Sequence, residues 1–413
     1  MTAKRPLLAL AVTMTAQALG SLCLSVPAVV APVVAPMLGF GPERVGLFVG
    51  IAYLAAMIAG LASGQGVARV GPVGVTQLAM LAFVVGMLTI PSGAGLVLVA
   101  VALLFGAGYG QLNPSAAHLL NRHAPDEHRG LFFSIKQSAV PIGVALAGLL
   151  MPPALSAFGW QTTMRLLAVI CAIYLALLFL ARHRLDAPLP SPPSRRRRAL
   201  PFSSWALARV LKDPHLRLVS LSSFAFAFAQ LAFTTFLVSY LNLELGWSLA
   251  VAAAILAASQ IVSTLARVGW GAVADRWMAP DRLLGWLGVG SGLSFLALGA
   301  LGASGTGGRS LATTIAASVV CAITSMSWNG VFFAELARRT TQANMASFAG
   351  AAQFLTFCGS MAGPVVFGEL LRLGSSYSLA YGLAMVLPLA AGLALLFKSR
   401  RRTFERAPTA SGG

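Results

Sequence analysis

Acidic side chains are scarce in this sequence. Eleven Asp and Glu stand against 29 Lys and Arg in 413 residues, and charged residues of both signs make up only 10% of the chain. So little charge leaves too few polar groups to cover a water-soluble globule of this length. Cysteine is scarce too: Cys23, Cys171, Cys321 and Cys358 stand singly in apolar stretches, which excludes a disulfide framework or a thiolate metal site read from spacing. Their expected role is as small buried apolar side chains. There is no phosphate-binding loop, no His/Cys cluster at metal-ligand spacing and no nucleophile elbow, so the chain is predicted to be neither an enzyme nor ATP-driven, with no cofactor and no metal.

What is present is apolar length. Hydrophobic residues account for 57% of the chain and the mean hydropathy is +0.81. Runs of about 20 apolar residues, enough to cross a bilayer, recur throughout. They fall at 8–36, 45–67, 73–91, 95–119, 131–155, 162–181, 217–241, 247–270, 283–302, 310–336, 346–370 and 376–397. The first lacks a small-residue cleavage site and is read as a span rather than a signal peptide. The predicted fold class is therefore an all-α membrane protein of twelve transmembrane helices. Its expected organisation is a six-helix bundle over 1–181, a linker over 182–216, a second bundle over 217–398 and a tail over 399–413.

The positive charge is not spread evenly. With the first residue in the cytoplasm and the sides alternating, 23 Lys and Arg fall on the inner face, 4 on the outer face, and Lys136 and Arg267 within spans. That asymmetry is the positive-inside rule, and it places both termini and the central loop in the cytoplasm. It also accounts for the net charge of +18 without any nucleic-acid partner. The loop carries Pro188, Pro190, Pro192, Pro193 and the run Arg195 to Arg198, an extended linker able to attract anionic lipid. Ser203 to Lys212 is predicted as a short amphipathic helix on the inner leaflet.

Two halves of the chain repeat one another. Gly64-Gln-Gly-Val-Ala68-Arg69 and Gly271-Ala-Val-Ala-Asp275-Arg276 close equivalent spans at an offset of 207, while Asn113/Asn329, Arg122/Arg338 and Gln137/Gln353 repeat at 216. Parallel duplication of this kind builds many secondary transporters, with the substrate site between the halves near mid-membrane. On these residues, the twelve runs and the long central loop, the chain resembles the major facilitator superfamily. The resemblance implies two pseudo-symmetric bundles, alternating access, a monomer, and a site among spans one, four, seven and ten. It also implies that Asp275, with Gly271 and Arg276, latches the inner ends of the bundles against Arg129 at the start of span five. The first copy of the signature, ending in Arg69, has Ala68 where the acid belongs. Span five shows only Pro141-x-Gly143 of the family's antiporter motif, which speaks against a drug/proton antiporter.

Ionisable residues within the bilayer are costly and are the default functional candidates. At 1.5 Å per residue Lys136 lies ~9 Å and Arg267 ~12 Å from the cytoplasmic edge, one in each half. Neither has an evident acidic partner in sequence, so a small organic anion, a carboxylate foremost, is the expected substrate, with Arg267 offering a fork and Lys136 a point charge. Alternatives are snorkelling for Lys136 and a structural pair with Glu335 for Arg267. Span eight also resembles the oxalate and monocarboxylate branch, which implies a carboxylate on Arg267. The lysine which that branch carries in span eleven is absent, with Gln353 the nearest polar residue.

Gln137, Gln353, Asn113 and Asn329 are expected to supply neutral hydrogen bonds, and Tyr109 and Trp328 to line the pathway, with helix glue and packing as the competing roles. His118 and Glu335 are the candidate proton carriers if transport is coupled to protons. The competing reading of the whole chain is an exporter of hydrophobic compounds.

Overall fold

In lipid every backbone N–H and C=O has to be satisfied within the chain, which leaves helices as the element that long apolar runs can form. A computed structural model describes residues 5–186, 204–303, 310–340 and 345–406, and the described residues are helices joined by short turns. Eleven of its runs are long and apolar enough to cross a membrane. One of them, Leu131–Leu185, has 55 residues, more than twice what one crossing needs. Gly159, at φ +74°, divides it into two helices, so the described residues make twelve spans.

We number the spans in chain order. Span 1 is Pro6–Met37, span 2 Val45–Val70, span 3 Pro72–Thr89 and span 4 Gly95–His123. Span 5 runs from Arg129–Gln137 into the helix Ala139–Leu185, whose part beyond Gly159 is span 6. Span 7 is Pro214–Ser239 with a π turn at Tyr240–Glu244, span 8 Leu249–Arg276 and span 9 Pro280–Ala303. Span 10 comes in two pieces, Leu311–Ser325 and Asn329–Arg339; span 11 is Met345–Arg372, and span 12 is Tyr377–Ala384 followed by Val386–Arg406.

Two compact units emerge. Among the described residues, one holds those within 1–201 with 234–261 and 364–372; the other holds those within 202–233, 262–363 and 373–413. In the first, glycines let helix backbones meet. A Cβ on Gly106 or Gly110 would lie 2.0 Å from the Ala52 carbonyl oxygen or 2.1 Å from that of Ala56, so the Gly106-x-x-x-Gly110 face of span 4 seats directly on span 2. In the same unit Gly46 meets the Pro364 carbonyl and Gly148 that of Ala253, which joins the ends of spans 8 and 11 farthest from the basic loops to the early spans. Large apolar side chains such as Leu149, Phe158, Ile173 and Leu180 face outward, as expected where lipid is the solvent.

In the second unit the segment after the linker forms the helix Ser204–Lys212, as expected from its pattern. Its apolar face packs elsewhere than on lipid: Ala206 and Val210 are buried in one core with Leu283, Leu284, Phe332 and Leu336. The prolines 188–193 and arginines 195–198 lie outside the described residues.

Two acids outside the spans cap helices. Asp213 precedes span 7, and its Oδ1 accepts from the backbone N–H of His215 and Leu216, both at 2.8 Å. The Leu216 amide above all, with that of His215, holds its carboxyl below the usual range. Asp186, after span 6, reaches across to span 3, where its Oδ1 accepts from Val73 N–H at 3.1 Å. Here burial dominates and pushes the carboxyl up, against the pull of the Val73 and Gly74 amides and of Arg182.

Candidate functional site

In the first unit a polar cluster is built from spans 1, 4 and 5. Gln17 and Ser21 sit one turn apart on span 1, and Tyr109 and Asn113 one turn apart on span 4, so each helix turns a polar pair to one side. Lys136 enters from span 5, two residues before its helix breaks at Ser138. Only 2% of Lys136 is exposed. Its ammonium donates to Gln17 Oε1 at 2.9 Å and to Asn113 Oδ1. It therefore turns into the bundle rather than snorkelling to water. Tyr109 lies beside Ser21 and Gln17 and edge-on to Tyr53, with ring centroids 6.3 Å apart. No carboxylate among the described residues pairs with Lys136. Gln17 and Ser21 are both buried. Gln137 is exposed, one residue and about 100° of helix rotation from Lys136.

In the second unit Arg267 addresses a break in a helix. The first piece of span 10 ends at Ser325, which strands its last carbonyls in mid-span. Arg267 Nη2 donates to Met326 O at 3.1 Å, Trp270 Nε1 to Ile323 O at 3.3 Å, and Ser327 Oγ also to Ile323 O. A cation at that end of the helix meets the negative pole of its dipole. The remaining Nε of Arg267 is buried and unpartnered. Arg267 therefore does not pair with Glu335. Trp328 is 1% exposed, donates to Gln230 Oε1 at 3.0 Å, and packs on Phe226 and Phe332 at centroid distances of 5.5 and 5.7 Å. Asn329 opens the second piece of span 10, and it and Gln353 are half-buried.

Glu335 is fully buried at the basic end of span 10. It accepts from His215 Nε2 at 2.9 Å and Arg339 Nε at 2.8 Å, with Arg338 Nη1 at 3.6 Å; Arg339 also lies 3.8 Å from Asp281. His215, Asp281 and Glu335 have the donor chemistry of a cation site, their ligand atoms within 4.8 Å of one another. Arg339 lies against both acids and Arg338 supplies a second cation beside Glu335, so the arrangement is an ion-pair network tying the start of span 7 to the end of span 10. His118 is exposed and has no hydrogen-bond partner among the described residues. Arg69, Asp275 and Arg276 are exposed and Gly271 faces open space, while the side chain of Arg129 lies outside the described residues.

Residues 13–364 match the family model described as Major Facilitator Superfamily. The chain belongs to the major facilitator superfamily. It is a transporter of that family rather than an enzyme. A hexuronate transporter of Bacillus subtilis (strain 168) is 23% identical over 306 residues, 72% of each chain. An uncharacterized MFS-type transporter of Mycobacterium tuberculosis (strain H37Rv) is 25% identical over 303 residues, 70% of this chain and 61% of that one. The fold is shared with solved family members. A bacterial homolog of the human lysosomal transporter Spinster superposes with a TM-score of 0.75 at 16% identity, over 98% of each chain. A peptide-bound POT family transporter gives 0.74 at 14% identity, over 95% of this chain and 96% of that one.

Three residues that organise these sites, Gln17, Ser21 and His215, were not evident from motifs of the superfamily. A signal for the first two exists in the internal repeat. Ala16-Gln17 and Ala229-Gln230 match at an offset of 213, as do Ser21 and Thr234, in spans 1 and 7. Both glutamines proved to accept through Oε1, one from Lys136 and the other from Trp328.

Proposed function

We propose that this transporter is a secondary carrier of a small organic anion, a carboxylate foremost, and that it works by alternating access in the cytoplasmic membrane as a monomer with both termini inside. One observation carries the reading: a lysine 2% exposed, inside a span, held only by neutral carbonyl oxygens. Burying an ammonium without a counter-charge is costly, and a chain that keeps one at that cost has an anion to supply it. Two further facts support the proposal. Arg267 brings a second cation into a span of the other half, with a free donor. The relative from Bacillus subtilis is named for hexuronate, a sugar that carries a carboxylate.

Of the coupling candidates, Glu335 is committed to His215 and Arg339, and we assign it to anchoring the basic end rather than to proton transfer. Gly271, Asp275 and Arg276 are assigned to a latch at that end.

The test is a thermal-shift panel on purified protein with mono- and dicarboxylates, neutral sugars and lipophilic cations. A ligand that binds only the folded state raises apparent stability. Stabilisation by carboxylates, lost in Lys136→Met, is the expected result. Stabilisation by lipophilic cations alone would replace the anion carrier with an exporter of hydrophobic compounds.

A further inference from the structure

At the end of the first unit away from the basic loops, two cavities of opposite character share a wall. One, of about 250 Å³, is charged: Glu43 and Arg44 at the start of span 2 line it together with Glu369 and Arg372 at the end of span 11. The other, of about 190 Å³, is apolar and lies among spans 1, 2, 4 and 6; Arg44 is the one charged residue on its lining. Arg44 and Leu47 line both.

The charged cavity holds two acids and two arginines, and one pair of them is already made, Arg372 Nε donating to Glu369 Oε2 at 2.6 Å. The side chains of Glu43 and Arg44 have no ion-pair partner among the described residues. The Arg44 guanidinium rests on the face of Phe40, 5.6 Å from the ring centroid. One free cation and one free acid therefore stand on neighbouring residues.

The apolar cavity follows one face of span 1, where Leu38, Val34, Val30 and Val26 recur every four residues and cover ~18 Å at 1.5 Å per residue. The hydrocarbon of a single leaflet is about 15 Å deep, half of the bilayer core. Leu47 and Val99 on the lining are exposed, so the cavity is open at its side, where apolar side chains of a membrane protein meet acyl chains. An apolar cavity of about 150 Å³ stays dry and takes up benzene, so a space of this size suits hydrocarbon rather than water.

From the two cavities we infer that the protein binds a membrane phospholipid with a zwitterionic head. One acyl chain lies along span 1 in the apolar cavity, the phosphate meets the Arg44 guanidinium, and the head-group ammonium balances Glu43. The shared wall calls for an amphiphile: a purely apolar ligand leaves Arg44 unmatched, and a soluble anion leaves the apolar cavity empty. A phosphate offers the guanidinium two oxygens at once. The balance of acids and arginines in the charged cavity favours a head of no net charge. Lys136, Gln17 and Asn113 line neither cavity, so the site is separate from the polar cluster and does not rest on the anion reading.

The experiment titrates delipidated, purified protein with dioleoyl phosphatidylethanolamine, dioleoyl phosphatidylglycerol, dioleoylglycerol or glycerol 3-phosphate, and reads bound molecules by native mass spectrometry. Wild type is expected to hold one phosphatidylethanolamine about tenfold more tightly than dioleoylglycerol, the worth of a charge-assisted hydrogen bond, and to hold no glycerol 3-phosphate. Arg44→Gln should lose that tenfold while its affinity for dioleoylglycerol and its thermal shift with carboxylates stay as in wild type. Val30→Phe, which fills the apolar cavity, should lose the tight lipid altogether. The comparison of ligands on wild type needs no variant, so a Val30→Phe protein that fails to fold does not protect the proposal. Equal binding of phosphatidylethanolamine and dioleoylglycerol, tighter binding of phosphatidylglycerol, or wild-type lipid affinity in either variant overturns it and leaves the anion carrier standing.

Discussion

Replacing Lys136 with methionine keeps an unbranched side chain of similar length and removes only the charge and its donors. In wild type at a carboxylate concentration of 100 Kd, ligand binding adds about 2.7 kcal/mol of apparent stability. Lys136 is 2% exposed, so its bond to the anion is a buried, charge-assisted one, worth about 1.5–3 kcal/mol. Losing it weakens binding roughly 10- to 150-fold. The same concentration then stands at roughly 0.7 to 10 Kd, and the ligand adds only about 0.3–1.4 kcal/mol. The assay is a melting curve of the purified protein with and without ligand, wild type against Lys136→Met. A ligand-induced shift equal to that of wild type would refute the reasoning, because it would show that the anion binds elsewhere and that the lysine serves only Gln17 and Asn113. Arg267→Lys is the companion measurement, since it keeps a cation near the Met326 carbonyl but loses the planar fork.

Glu335→Gln should lower the melting temperature while leaving carboxylate affinity within about twofold, because a buried acid shared by His215 and Arg339 anchors spans 7 and 10; breaking such a pair costs about 3–5 kcal/mol. Loss of pH-dependent uptake at unchanged stability would reassign Glu335 to coupling. Gly110→Ala should destabilise by about 2 kcal/mol, since its Cβ would stand 2.1 Å from the Ala56 backbone oxygen, which a rotamer change cannot relieve; a melting curve like that of wild type would remove the close span 2–span 4 contact.

The two capping acids should respond to pH in opposite directions. Asp213, whose folded carboxyl is held low, contributes stability above the unfolded pKa of about 3.9, and this is lost as pH falls through its lower folded value. Asp186, whose folded carboxyl is raised, ionises at a cost, so its contribution falls as pH rises from about 3.9 through its raised value. Asp186→Asn should keep a cap for Val73 and flatten that decline, while Asp213→Ala should cost about 1 kcal/mol at neutral pH. Melting curves between pH 3 and 7 check both signs.

Much of the architecture was legible in the sequence because the bilayer leaves the chain few options. Apolar runs of fixed length have to become helices, so the twelve spans agree with the expected boundaries to within a few residues at most ends. The repeat at offsets of 207 and 216 followed from the duplication itself. Lys136 and Arg267 stood out for an equally simple reason, the cost of charge in lipid.

The surroundings of those cations came only from tertiary structure. A span apolar on nearly every side shows little asymmetry from which to read its rotation, so nothing local said that Gln17 turns toward Lys136, across 119 residues of chain. Nor did sequence show that span 10 breaks at Met326 and offers its carbonyls to Arg267 and Trp270, or that Glu335 is claimed by His215, 120 residues away, instead of by Arg267. Sequence by itself determined that the chain lives in a membrane, how often it crosses and where its rare charges sit, because those follow from local length and polarity. Which neutral groups surround each charge was decided by helix packing alone, since a hydrogen bond depends on which faces meet.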